Sequence, residues 1–161
     1  MILNIVDNVL VDPDLYVEQA HSVGFIDVTD GVNTFKNIQP IYEDNEFSRF
    51  VLNLFDNKYD VAWNFIRMSP LNQIEPNFIH TDEMMGDVTV ILYLSKIHPI
   101  GDGTTIYNED DTTMCVINSK YNRMISFDSS LHHSRNIFDN FGEGNEARLI
   151  QVIFLKLKDD L

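Results

Sequence analysis

The stretch whose reading decides the fold is Phe78-Ile79-His80-Thr81-Asp82-Glu83-Met84-Met85-Gly86-Asp87-Val88-Thr89-Val90-Ile91-Leu92-Tyr93-Leu94-Ser95. Successive side chains of an extended strand point to opposite faces, so His80 and Asp82, two residues apart, project together as a neutral nitrogen and an anionic oxygen. That is two-thirds of a metal site. Gly86-Asp87 reads as a turn, and Val88 to Ser95 follows as a strand with Val88, Val90, Leu92 and Leu94 on one face and Thr89, Ile91, Tyr93 and Ser95 on the other. The first face is wholly apolar and belongs against a hydrophobic layer. The second mixes polar and apolar groups, as the lining of a cavity does.

A third ligand is expected on a later strand that returns beside the first. Phe127-Asp128-Ser129-Ser130-Leu131-His132-His133-Ser134 supplies two histidines there. Two histidines and one carboxylate on adjacent strands make a facial triad that leaves open positions on Fe(II). Neighbours on a strand face opposite ways, so if His133 points inward His132 points away.

Working back to the N-terminus, Met1 to Leu10 reads as a short strand. Asp12 is a candidate N-cap, Pro13 suits a first helical turn, and Leu15, Val17, Ala20 and Val23 follow at helical spacing up to Gly24. Phe25 to Pro40 is irregular, with a short strand expected at Thr34 to Ile38. Asp44 or Asn45 can cap a second helix, in which Phe47, Phe50, Val51, Leu54 and Phe55 share one face. From Tyr59 the pattern turns to β, with strands expected at Val61–Met68, Asn77–Thr81, Val88–Ser95, Thr104–Tyr107, Cys115–Asn118, Arg123–Phe127 and Arg148–Leu157. Helices followed by closely spaced strands predict an α+β domain, its helices bracing one face of an antiparallel barrel or sandwich.

The length of 161 residues fits one domain, taken as 1–161, with helical support over about 1–58 and the β core over about 59–158. Lys and Arg number 11 against 25 Asp and Glu, a net charge of −14 that repels a phosphate backbone, and the cations are scattered without a basic patch. Nucleic acid is therefore a disfavoured partner. The single cysteine, Cys115, cannot form an intramolecular disulfide and reads as a small buried apolar residue, which suits a reducing compartment. No stretch approaches the roughly 20 apolar residues of a membrane span. The expected location is the cytoplasm, the host's if the chain is phage-encoded, with no membrane partner.

Five features agree in chain order: His80-x-Asp82, the apolar strand ending in Tyr93, Gly101-Asp102-Gly103-Thr104-Thr105, His133, and Arg148-Leu149-Ile150-Gln151-Val152-Ile153-Phe154. Over about residues 60 to 157 the sequence resembles the Fe(II)/2-oxoglutarate-dependent oxygenases, in the compact branch similar to prolyl hydroxylases. The resemblance implies a double-stranded β-helix (jelly-roll, cupin-like) core with iron held by His80, Asp82 and His133, the last matching a Phe-x-Ser-x-Leu-x-His pattern. It also implies 2-oxoglutarate and O2 as cosubstrates, with Arg148 and Tyr93 on the distal carboxylate and Thr89 lining the same pocket. An arginine leading an apolar strand needs an anionic partner if buried, and a carboxylate supplies one. Relatives often carry Ser or Thr two residues beyond the arginine, where this chain has Ile150. Further polar contacts are expected near Arg67 and Met68, and Asn64 and Arg67 are candidates for substrate contacts.

The activity implied is oxidative decarboxylation of 2-oxoglutarate to succinate and CO2, coupled to hydroxylation of a C–H bond. Retention of Asp82 favours hydroxylation over halogenation, because related halogenases replace that carboxylate. A peptidyl or free amino-acid side chain is the first substrate class, a small molecule the second and a modified nucleobase the third. Two other classes compete: a non-catalytic cupin-like domain holding a metal or small ligand, and an interaction protein in which the three ligand-type residues are incidental. His21, near a helix C-terminus where a cation suits the dipole, and His98, before Pro99, have no assigned chemistry. Glu109-Asp110-Asp111 lacks the ordered ligand spacing of a calcium loop and reads as solvated.

Overall fold

The structure is a computed structural model and describes residues 1–159. Ten strands and two α-helices run in the order β1 (Leu3–Val6), α1 (Pro13–Val23), β2 (Ile26–Thr29), β3 (Thr34–Pro40), α2 (Glu46–Leu54), β4 (Tyr59–Ser69), β5 (Val88–Tyr93), β6 (Gly103–Tyr107), β7 (Thr113–Asn118), β8 (Arg123–Asp128), β9 (His132–Arg135) and β10 (Arg148–Leu157). They form a seven-stranded sheet, β1-β8-β5-β10-β4-β3-β2, and a three-stranded sheet, β7-β6-β9. Every pairing is antiparallel. The result is a two-sheet sandwich with helices on the outer face of the larger sheet. No helix among the described residues is long and apolar enough to cross a membrane.

Both helices start where their caps are. The Asp12 side chain accepts from Leu15 N, with Pro13 in the first turn of α1, and Asn45 and Ser48 exchange hydrogen bonds in a capping box that opens α2. Phe47 and Val51 of α2 are fully buried against the sheet, in a cluster with Val88, Val90, Leu92, Leu94, Leu149, Ile153 and Leu155. His21 departs from the dipole reading: burial pushes its pKa down, and its ring lies edge-on to Phe25 at 5.7 Å.

The N-terminal third contributes more than helices. β1 flanks β8 at one edge, while β2 and β3 extend the sheet beyond β4 at the other. β1 pairs with residues more than 100 positions away, a partnership that no local period reveals. The strand expected over Asn77–Thr81 is reduced to one bridge between His80 and His133. Pro70 and Pro76, which lack an N–H for a ladder, stand in the segment between β4 and His80.

β5 fixes the two layers. Val88, Val90 and Leu92 face the helices, whereas Ile91 and Tyr93 join Ile106, Ile117, Ile125 and Phe127 in a second cluster between the sheets. Directly opposed residues of an antiparallel pair share a face. The register therefore lays three inner-face rows across β8, β5, β10 and β4: Phe127–Thr89–Phe154–Trp63, Ile125–Ile91–Val152–Phe65 and Arg123–Tyr93–Ile150–Arg67. Arg148 and Ser69 form the next row. Asn64 faces the helices instead, buried and accepting from Gln151 Nε2 at 2.8 Å, away from the space between the sheets.

Candidate metal and cosubstrate site

His80, Asp82 and His133 converge at one end of the space between the sheets, each with a ligand atom within 4.8 Å of the others. Main-chain bonds hold them there. His80 N donates to His133 O at 3.0 Å, His133 N to His80 O at 2.9 Å, and Asp82 N to Ser129 O at 2.8 Å. His133 Nε2 lies 3.0 Å from Asp82 Oδ2, and His80 Nε2 lies 3.4 Å from Asp82 Oδ1. Nδ1 of each histidine faces a backbone carbonyl, Phe78 O at 2.9 Å for His80 and Leu131 O at 3.0 Å for His133. A proton on Nδ1 leaves Nε2 of each ring as the free ligand atom.

Burial pushes the Asp82 carboxyl up, but its contacts with His133 and His80 outweigh that and hold it well below the usual carboxylate range. Asp82 also accepts from the Thr89 hydroxyl at 3.2 Å, and Thr89 meets Ser129 Oγ at 2.9 Å. The Thr89 hydroxyl thus serves the Asp82 end of the space. His133 is buried against the ring of Phe127, with centroids 4.8 Å apart. His132 points to the outer face, where its Nδ1 meets Asp111 Oδ1 at 2.9 Å.

Arg148 occupies the opposite end. It is buried, makes no side-chain hydrogen bond among the described residues, and its Nε is enclosed without a partner. Burial, with Arg135 nearby, lowers its pKa to about 10. Tyr93 stands beside it, its hydroxyl 2.6 Å from Thr104 Oγ1 of the smaller sheet, and burial pushes the phenol well up. Between the two ends, Ile91 is the only residue of Val88–Tyr93 that is not buried, and Ile150 the only one of Arg148–Leu155. These two side chains are therefore partly accessible from the space between the sheets.

A second set of charges was not anticipated from the sequence. Glu75 accepts from Ser69 Oγ (2.7 Å), Gln73 Nε2 (2.9 Å) and Asn140 Nδ2 (3.1 Å). It also pairs with Arg67 Nε at 2.9 Å and Arg135 Nη1 at 3.3 Å. Burial raises its pKa, and Arg67 with these donors overcomes the penalty and leaves it lowered. Only Arg67, on the inner face of β4, carried a usable signal in the sequence. Gly142 shapes the loop before Arg148: its φ is +75°, and a Cβ there would lie 1.9 Å from Glu146 O. Elsewhere, a cleft of about 580 Å³ between α1 and the segment after β5 is lined by Asp14, His21, Lys96 and Tyr121, apart from the three ligands.

An orphaned cation at one end and two histidines with a carboxylate at the other are what a metal-chelating 2-oxo dicarboxylate needs. The donor set fits Fe(II), and the enclosed, partnerless Arg148 fits a carboxylate.

The fold is similar to solved structures of 2-oxoglutarate-Fe(II) oxygenases and prolyl hydroxylases. A prolyl-4-hydroxylase from Pseudomonas putida superposes with a TM-score of 0.63 at 10% identity, covering 98% of this chain and 93% of that one. The viral collagen prolyl hydroxylase of Paramecium bursaria Chlorella virus-1 gives 0.61 at 16%, covering 97% and 90%. A 2-oxoglutarate-Fe(II) oxygenase family oxidoreductase from Burkholderia pseudomallei gives 0.61 at 13%, covering 96% and 84%. No protein-family model matches the chain. No curated protein matches it by sequence.

Proposed function

We propose that the sandwich is a double-stranded β-helix and that the protein is an Fe(II)- and 2-oxoglutarate-dependent dioxygenase. The observation that carries this reading is the pairing of the His80–Asp82–His133 cluster with the buried, partnerless Arg148 across one inter-sheet space. His80, Asp82 and His133 would hold iron, and Arg148 and Tyr93 would hold the distal carboxylate of 2-oxoglutarate. Iron bound there supplies the oxidising chemistry with O2, turning 2-oxoglutarate into succinate and CO2.

The chain's own residues orient and exclude. Thr89 and Ser129 steady the Asp82 carboxylate, the Phe127 ring packs on His133, and Ile91 and Ile150 give the cosubstrate an apolar floor. The reaction proposed is hydroxylation of a C–H bond in a peptidyl, amino-acid or other small-molecule substrate. A peptide is supported by one similar structure, a Trichoplax adhaerens prolyl hydroxylase with a hypoxia-inducible-factor fragment. Trp63, exposed in the same inner-face row as Thr89, offers that substrate a flat apolar surface. The net charge of −14 weighs against nucleic acid, and the lone, half-buried Cys115 fits a cytoplasmic location.

The test is an anaerobic titration of metal-stripped protein with Fe(II) and then 2-oxoglutarate, followed by visible absorption. A charge-transfer band that forms in the wild type and not in Asp82→Ala is the expected result. Iron binding without the band would leave a metal-holding domain with no oxygenase chemistry. No iron binding would end the reading.

A further inference from the structure

We propose that Arg67 is a second arginine for the distal carboxylate of 2-oxoglutarate, reaching it from β4 across Ile150. This rests on the cosubstrate reading above. The register carries it: Ile150 lies opposite Arg67 on one side and Tyr93 on the other, and Arg148 precedes it by two residues on its own strand. Three donors thus surround one aliphatic side chain. That side chain is the one in Arg148–Leu155 that is not buried, so a bound carboxylate can reach it. Position 150 has no hydroxyl to offer, and its strand neighbours supply the polar contacts.

Arg67 is oriented for this task. Its side chain is 24% exposed, and Glu75 Oε1 sits 2.9 Å from Nε, off the N–H axis. Neither Nη atom makes a hydrogen bond among the described residues. A guanidinium held at its near end loses less freedom when its fork closes on a carboxylate. The competing role for Arg67 is purely structural, anchoring the segment after β4 through Glu75.

Calorimetry on metal-loaded protein without O2 separates the two roles, using 2-oxoglutarate and 2-oxovalerate, which keeps the chelating end and replaces the distal carboxylate by a methyl group. Arg67→Gln is expected to weaken 2-oxoglutarate roughly ten- to hundredfold and leave 2-oxovalerate unchanged. Arg67→Lys, which keeps a cation beside Glu75 without the fork, should show a smaller loss confined to 2-oxoglutarate. Wild-type affinity for 2-oxoglutarate in both variants overturns the proposal, and so does an equal loss of both ligands. If the wild type itself shows no preference for 2-oxoglutarate over 2-oxovalerate, the cosubstrate reading fails and this proposal falls with it. A preference lost in Arg148→Gln and kept in Arg67→Gln overturns this proposal alone.

Discussion

Glu75→Gln tests the buried charges in a way that separates electrostatics from packing. The substitution keeps the shape and removes the charge. It also turns one acceptor oxygen into a donor: one side of the carboxylate faces Ser69, Gln73 and Arg67, and the other faces Asn140 and Arg135, so either amide orientation sets N–H against N–H. Removing one partner from a buried ion pair costs about 3–5 kcal/mol, and the Glu75 side chain is only 7% exposed. We take about 3 kcal/mol, a large share of the roughly 5–15 kcal/mol that holds a domain together. For a chain of this size that lowers Tm by roughly 6–12 °C.

The loss should also depend on pH, with a definite sign. The folded-state pKa of Glu75 is depressed, so its contribution is complete above the ordinary carboxylate pKa and disappears as pH falls through the lower folded value. Urea unfolding of wild type and variant, stepped from pH 7 down to about 3, should show a gap in stability that is widest at neutral pH and closes in acid, where Glu75 is itself neutral. A gap of equal size throughout would trace the effect to lost packing and refute the electrostatic argument. No gap at pH 7 would refute the assignment of Glu75 as the counter-ion of the two arginines.

His133→Ala should abolish Fe(II) binding while His132→Ala retains it, measured by anaerobic titration; the reverse order would mean that β9 presents its other face to the space between the sheets. Phe47→Ala, at a fully buried position on the helix side, should cost about 3–5 kcal/mol and lower Tm by on the order of 10 °C. It should leave Fe(II) affinity unchanged in the folded protein, and a loss of affinity there would show that the two packing layers are coupled.

The parts legible in the sequence were those written in short periods. The two faces of β5 follow from strict alternation, and His80 and Asp82 from a spacing of two. Both helix starts were visible because their caps lie next to them in the chain. Asn64 was misjudged because both faces of β4 are covered at its inner end, so polarity does not reveal which face turns toward the cavity. Glu75 carried no signal, since its segment has no period and its partners Arg135 and Asn140 lie 60 and 65 residues away. Thr89 was placed on the correct face, but which end of the space it serves depends on where Asp82 reaches, and that is set by tertiary folding.

The reciprocal main-chain bonds between His80 and His133 bear on which ion the proposed site would take. Two of the three donors are spaced by the backbone, so on that reading divalent ions would compete by mass action for donors already in place. Nickel, copper and zinc outrank iron for such donors in intrinsic affinity. On the proposed reading, metal analysis of the purified protein would record the ions available during growth and handling, and activity would follow the fraction of molecules in which iron had won that competition.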